Sequence, residues 1–266
     1  GTDRFERVDT ETGLGNVTAL RVDERGGLWV ATTDRLVLLN VPDGAVRMQM
    51  ALPGEDEFVN VRQLETAADG ALWVSASSGL WRLAPGSSAL QPVRTSGIGN
   101  VTRIHVRGPD RVYASTSNGL YRVTTAGDAM RIWPAAGEES ISALTEDANG
   151  WLWLALPRKG FALFDPASET TRWLPPESGE GGVPDAVVNR LQTDRSGLLW
   201  IGTYERGLIC VDPRGTAFTH ILEDDVDPQG DASNFILALS EADDGRLWVG
   251  TGKGLRRYAP ETGRIE

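Results

Sequence analysis

Two histidines, one cysteine and one acidic run are the residues of this 266-residue chain best suited to chemistry. His105 stands in Ile104-His-Val106 and His220 in Phe218-Thr-His-Ile221, and neither has an acidic neighbour in sequence to orient it. General acid–base work needs a histidine held by a partner, so both read as hydrogen-bonded structural residues. Cys210 lies among Leu208, Ile209 and Val211, the setting of a buried thiol; a single cysteine closes no disulfide and makes no cysteine-based metal site. The run Glu223-Asp-Asp-Val-Asp-Pro-Gln-Gly-Asp231 imitates the start of a calcium loop at Asp225, Asp227 and Gln229. Its twelfth position is Ile236, where a bidentate carboxylate is required, so the match fails. There is no Gly-x-Ser-x-Gly elbow and no phosphate-binding glycine loop opening a helix. The expectation is a chain without cofactor or metal, and not an enzyme.

The elements that carry these residues repeat. Aligned on Gly-x-Leu-Trp, six copies appear: Gly26-Gly-Leu-Trp29, Gly70-Ala-Leu-Trp73, Asp110-Arg-Val-Tyr113, Gly150-Trp-Leu-Trp153, Gly197-Leu-Leu-Trp200 and Gly245-Arg-Leu-Trp248. The aromatic positions fall 44, 40, 40, 47 and 48 residues apart. Nine residues before each stands Leu20, Leu64, Ile104, Leu144, Leu191 or Leu239. Six or seven residues after each comes Gly79-Leu80, Gly119-Leu120, Gly160-Phe161, Gly207-Leu208 or Gly254-Leu255, with Arg35-Leu36 in the first copy. Every unit divides into four short apolar or alternating runs separated by Gly, Asp, Pro and Asn, the marks of strands and turns. In the first copy they are Val17–Val22, Leu28–Thr32, Leu36–Asn40 and Val46–Met50. A period of 40–48 residues with four strands per unit predicts an all-β fold, a β-propeller of four-stranded antiparallel blades. The blades fall near 14–51, 58–95, 98–134, 139–175, 185–222 and 233–266, within one domain spanning 1–266. Trp29, Trp73, Tyr113, Trp153, Trp200 and Trp248 then fill the wedge between blades as core. Trp81, Trp133, Trp151 and Trp173 lie off that register and are the aromatic residues left for a ligand platform.

A net charge of −11 with scattered Lys and Arg excludes a basic nucleic-acid surface and disfavours anionic lipid. No apolar run approaches the length of a membrane span.

The string Asp243-Asp-Gly-Arg-Leu-Trp-Val-Gly-Thr-Gly-Lys-Gly-Leu-Arg-Arg-Tyr258, followed by Pro260-Glu-Thr-Gly263, resembles the two-component regulator propeller repeat. So does Asp194-Arg-Ser-Gly-Leu-Leu-Trp-Ile-Gly-Thr-Tyr-Glu-Arg-Gly-Leu208, whereas the third copy departs most, with Asp110 and Tyr113 in place of Gly and Trp. The resemblance implies the periplasmic, ligand-sensing part of an inner-membrane receptor whose output is a histidine kinase, often hybrid, or a diguanylate cyclase. It implies a small-molecule ligand, an oligosaccharide or acidic sugar among the candidates, and contact with the membrane only through the rest of the receptor. A propeller serving as scaffold for association or homodimerisation is the alternative, and a propeller enzyme similar to streptogramin B lyase is the third. The family's propellers are commonly seven-bladed, so six repeats stand either as a closed ring, with residues 1–10 supplying an outer strand at Phe5–Val8, or as part of a larger array.

Two loop sets share one end of each blade. The loops entering the first strand carry Asn16, Asn60, Asn100, Ser140, Asn189 and Asn234, which suit turns and hydroxyl-rich ligands alike. The loops joining the second strand to the third carry Asp34-Arg35, Ser78, Asn118, Arg158-Lys159, Tyr204-Glu205-Arg206 and Lys253. These positions vary most between copies. Arg35, Asn118, Arg158, Lys159, Tyr204, Arg206 and Lys253 are therefore the candidate ligand contacts, with five cations forming a locally basic face.

Overall fold

The computed structural model describes residues 14–23, 25–40, 44–52, 60–94, 98, 100–108, 111–177, 182–183, 186–204, 206–215, 218–221 and 235–265. Among them the chain forms six four-stranded antiparallel sheets and no helix, the blades of a β-propeller. The first sheet holds β1 (Val17–Val22), β2 (Gly27–Thr32), β3 (Arg35–Asn40) and β4 (Val46–Ala51). The second holds β5 (Val61–Thr66), β6 (Leu72–Ala76), β7 (Gly79–Leu83) and β8 (Gln91–Pro92). The third holds β9 (Val101–Gly108), β10 (Arg111–Thr116), β11 (Gly119–Val123) and β12 (Ala129–Trp133). The fourth holds β13 (Ala143–Glu146), β14 (Leu152–Leu156), β15 (Gly160–Asp165) and β16 (Thr170–Leu174). The fifth holds β17 (Val188–Thr193), β18 (Leu199–Thr203), β19 (Leu208–Val211) and β20 (Phe218–Ile221). The sixth holds β21 (Ile236–Glu241), β22 (Leu247–Thr251), β23 (Gly254–Ala259) and β24 (Arg264–Ile265). Strands lie in sequence order within each sheet, so every connection is a hairpin. The sixth sheet takes its fourth strand from β24, which pairs with β23 through Tyr258↔Ile265 and Ala259↔Arg264. The strand expected at Phe5–Val8, the acidic run 223–231 and Asn234 lie outside the described residues.

The register repeats with the sequence. Trp29, Trp73, Trp153, Trp200 and Trp248 face first-strand residues Arg21, Glu65, Thr145, Gln192 and Ser240 in turn. Four first strands carry the same irregularity, an extra residue at Thr18, Arg62, Asn189 and Leu237. A bulge bends its strand and re-aims a side chain, and here it does so at one end of each sheet.

Two compact units divide the chain: Gly1–Ala114 with Tyr121–Arg131, and Ser115–Leu120 with Ile132–Glu266. In the first unit, Trp29 packs with Leu36 against Leu64, Leu72, Val74 and Leu83 of the second sheet. Trp73 packs in the same way with Ile104, Val112 and Tyr121 of the third. In the second unit, Trp153 and Phe161 pack against Leu199, Ile201, Ile209 and Phe218, while Trp200 packs against Ile236, Leu247, Val249 and Tyr258. These four tryptophans therefore pack toward the following sheet, and Tyr113 is buried. Trp248 departs from this. On the last sheet it is half-buried, and the Arg257 guanidinium covers it at 5.0 Å from the ring centroid.

A hydrogen bond fixes two of these indoles. In the turn before Trp153, Asp147 Oδ1 accepts the backbone N–H groups of Asn149 (2.8 Å) and Trp151 (3.1 Å), while Oδ2 accepts the Trp153 indole N–H at 3.0 Å. Asp194 does the same for Ser196, Leu198 and the Trp200 indole, at 2.9, 2.9 and 2.7 Å. One carboxylate thus shapes the turn and holds the core. The second and sixth copies have Ala67 and Ala242 at that place. There the aspartate two residues on, Asp69 or Asp244, instead pairs with an arginine of the third strand, Arg82 or Arg257, which lies over the tryptophan ring.

Candidate functional site

Backbone hydrogen bonds bring the two loop sets together at one end of individual sheets. Ser77 N–H donates to Asn60 O (2.9 Å), Tyr204 N–H to Val187 O (3.0 Å) and Gly252 N–H to Phe235 O (3.1 Å). Each bond ties the turn after the second strand to the residue entering the first. The turns themselves are built on a threonine. Thr203 and Thr251 donate Oγ1–H to the carbonyls of Gly207 and Gly254, while the Thr32 and Thr116 hydroxyls each stand within reach of two acceptors, the Arg35 or Gly119 carbonyl and the side-chain oxygen of Asp34 or Asn118. The same oxygen accepts a backbone N–H from Arg35, Asn118, Arg206 or Lys253. The side chain closes the hairpin from inside and leaves the next residues pointing outward.

Of the expected contact residues, Arg35 lies in the first unit and Asn118, Arg158, Lys159, Tyr204, Arg206 and Lys253 in the second. Arg158, Lys159, Tyr204, Arg206 and Lys253 are exposed, as loop positions should be. Arg35 and Lys159 are neutralised in place. Arg35 pairs with Asp34 at 2.8 Å, and its guanidinium, with the Thr32 hydroxyl, holds the Asp34 carboxyl below the usual carboxylate range. Lys159 Nζ donates to both oxygens of Glu139 at 2.9 Å. Arg158 takes up a left-handed backbone, φ 56°, at its turn. Asn118 is drawn inward, its Oδ1 accepting the Thr116 hydroxyl at 2.7 Å.

The entering asparagines serve the joints between first strands. Asn100 Oδ1 accepts from Arg62 Nη1 at 2.7 Å, and Asn189 Nδ2 donates to Ile236 O at 3.0 Å. Arg62 and Asn189 are both bulge residues, so the bulge turns a side chain toward the neighbouring sheet.

At the joint of the fifth and sixth sheets this arrangement gathers a group that the sequence did not single out. Arg190 follows the Asn189 bulge and pairs with Gly202. A Cβ on Gly202 would meet Ile236 Cγ2 at 2.5 Å and Arg190 Cβ at 3.4 Å, so only glycine admits this approach. The Arg190 guanidinium is half-buried, and burial lowers its pKa; the nearby Tyr204 phenol acts in the opposite sense. Its Nη1 donates to Asn189 O (2.8 Å) and Asn189 Oδ1 (3.1 Å). Beside it, Tyr204 and Phe235 stand edge to face with centroids 6.0 Å apart, each 38% exposed. Arg190 and Phe235 escape a reading of loops because both sit at a strand's start.

The off-register tryptophans divide. Trp133 is buried, which removes it as a platform, while Trp81 and Trp151 pack partly against the core. Trp173 alone keeps about half its surface (49%) and borders a cleft of about 210 Å³ lined also by Arg172, Glu177, Val183, Pro213 and Phe218. Of the reactive residues, Cys210 is half-buried and its thiol is pushed up to about 12, by burial first and then by the charges of Asp194 and Asp212. At neutral pH it stays protonated and weakly nucleophilic.

With this geometry in place, residues 182–205 and 230–253 match the family model described as two component regulator propeller. Those two segments carry two-component regulator propeller repeats. The matched segments contain the first strands, second strands and adjoining turns of the fifth and sixth sheets. No curated protein matches the chain. Among solved structures it is similar to the extracellular domains of two proteins of B. thetaiotaomicron described as hybrid two component systems. One is 21% identical with a TM-score of 0.72, the other 18% with 0.71; each covers 95% of this chain and 34% of its own. The chain thus spans about a third of those domains. It is also similar to a catalytically inactive histidine-to-alanine variant of virginiamycin B lyase from Staphylococcus aureus with quinupristin: TM-score 0.75, 15% identity, 97% of this chain and 85% of that one. At these identities the likeness is one of fold.

Proposed function

We propose that this propeller belongs to the extracytoplasmic input region of a membrane-bound two-component receptor. In this reading it senses a small molecule at the loop end of its sheets. The carrying observation is the two-component regulator propeller match on the fifth and sixth sheets. The likeness in fold to extracellular domains of hybrid two component systems supports the same class. The repeats are alike in their core and differ in their loop-end side chains, which suits a frame that holds variable contacts. In this reading the domain is periplasmic and non-catalytic, its ligand is hydroxylated or anionic, with oligosaccharides and acidic sugars first among them, and its output module is a histidine kinase or diguanylate cyclase elsewhere in the receptor.

A thermal-shift series against neutral and acidic saccharides tests this. A ligand of the folded state stabilises by RT ln(1 + [L]/Kd), about 2.7 kcal/mol at a hundredfold excess over Kd. That is a shift of several degrees for a chain of this size. The triple variant Arg158→Ala, Lys159→Ala, Arg206→Ala should lose the shift and keep the same self-association. Loss of self-association with no ligand response in the unaltered domain would instead assign the loop end to a scaffold.

A further inference from the structure

Several described arginines ion-pair with a carboxylate: Arg21 with Glu65, Arg35 with Asp34, Arg82 with Asp69, Arg195 with Asp243 and Arg214 with Asp212. Arg190 meets none among the described residues. Its hydrogen bonds go to two oxygens of the adjacent Asn189, both through Nη1. Among the described residues no acceptor meets Nε or Nη2, and that edge of a guanidinium matches the two oxygens of a carboxylate. A half-buried cation without a counter-charge has lost hydration that nothing restores. It persists where something else in the fold holds it, and here the bulge at Asn189 and the close approach at Gly202 do so. The neighbouring surface is aromatic: Tyr204 and Phe235 meet edge to face at 6.0 Å, and both are open to solvent. Phe235 is held by its carbonyl bond to Gly252, and Tyr204 by its N–H bond to Val187, so both loop sets contribute. A chain of net charge −11 repels anions at long range, so capture of one depends on a local, desolvated cation of this kind.

We propose that Arg190, Tyr204 and Phe235 form a site for a carboxylate carried on a saccharide ring, a hexuronic acid unit. The guanidinium Nε–Nη2 edge takes the carboxylate in bidentate fashion. The aromatic pair takes the C–H face of the ring, and the Tyr204 hydroxyl is at hand for a ring hydroxyl. This rests on the reading of the loop end as the ligand-receiving face of a sensor, and it names the ligand's chemistry.

The test is calorimetric titration of the 266-residue domain with galacturonate, galactose and acetate at fixed ionic strength. Galacturonate should bind at least tenfold more tightly than galactose or acetate, since neither supplies both carboxylate and ring. Arg190→Gln should weaken galacturonate at least tenfold. Arg190→Lys, which keeps the charge and loses the fork, should recover only part of that loss. Tyr204→Ala, on an exposed turn, should weaken galacturonate and leave the melting temperature unchanged. The ligand-free melting temperature of Arg190→Gln should stay level or rise, which separates lost binding from lost folding. Equal affinity for galacturonate and galactose, full galacturonate binding by Arg190→Gln, or no binding of galacturonate overturns the site. Galactose bound as tightly as galacturonate leaves the sensing reading standing while removing this site. Galacturonate bound through Arg190 without any change in receptor output keeps the site and removes the sensing reading.

Discussion

At Asp147 and Asp194 a single side chain joins a turn to a core. Each accepts two backbone N–H groups of the turn and the indole N–H of the tryptophan six residues on. A buried donor left without an acceptor forfeits its hydration, about 1–3 kcal/mol. Trp73 is in that state: its Nε1 is buried and has no hydrogen-bond partner, because Ala67 stands where the aspartate would be. Ala67→Asp should therefore raise stability by about 1 kcal/mol, and Asp147→Ala should lower it by about 2–3 kcal/mol, both read as shifts in urea midpoint at constant m-value. A destabilised Ala67→Asp would show that the Arg82 stack on Trp73, beside Asp69, already meets the need. The tryptophan register and its burial were legible in the sequence, since three marks repeat together. The aspartate was legible only as a turn former. Its bond to the indole depends on how a six-residue span folds back, which no spacing states. Arg190 was less legible still. On a strand it is one more alternating polar residue, and its burial without an ion-pair partner among the described residues shows only in the fold.

The hairpin joining second and third strands is the element that presents the loop-end residues. Glycine after the tryptophan was a clear sign of it, and its physical basis is visible at Gly79, Gly119 and Gly254, with φ of 122°, 141° and 133°. Side chains adopt such angles at a cost, so glycine recurs. The threonine at the end of the second strand was passed over, although it stands in the first, third, fifth and sixth copies as Thr32, Thr116, Thr203 and Thr251. A β-branched residue closing a strand looks like strand propensity, and its hydroxyl's role is invisible until the turn is seen. Thr203→Val keeps the shape and removes the hydroxyl. At this fully buried position it leaves Arg206 N–H without its acceptor, while Gly207 O keeps only the backbone N–H of residue 203. The expected cost is about 1–3 kcal/mol, with faster hydrogen exchange at the amides of the turn. Thr251→Val, whose bonds are exposed to water, should cost clearly less. Equal losses at the two positions would show that β-branching, not the hydroxyl, supports the hairpin.

Across the whole molecule six similar sheets are plain, yet the family model meets only residues 182–205 and 230–253. The fold tolerates the difference because packing asks only for an aromatic on the second strand and apolar partners on the next sheet, which Tyr113 satisfies as well as Trp. The same tolerance explains why propellers of unlike function resemble this chain at similar TM-scores, so function must be argued from side chains. The likeness to virginiamycin B lyase spans 97% of the chain, and in that protein an alanine in place of one histidine abolishes catalysis. This chain places its two histidines on different elements. His105 lies on β9, the first strand of the third sheet, and His220 on β20, the last strand of the fifth, where Thr219 and His220 pair with Cys210 and Ile209. His220 Nε2 is buried with no hydrogen-bond partner among the described residues, away from any solvent-borne substrate. Neither belongs to the Arg190–Tyr204–Phe235 group. Incubated with quinupristin and a divalent metal, the domain should therefore leave the ring intact, with no product of changed mass or absorbance after many hours. Ring opening that disappears in His220→Ala or His105→Ala would establish the lyase reading in place of the sensor.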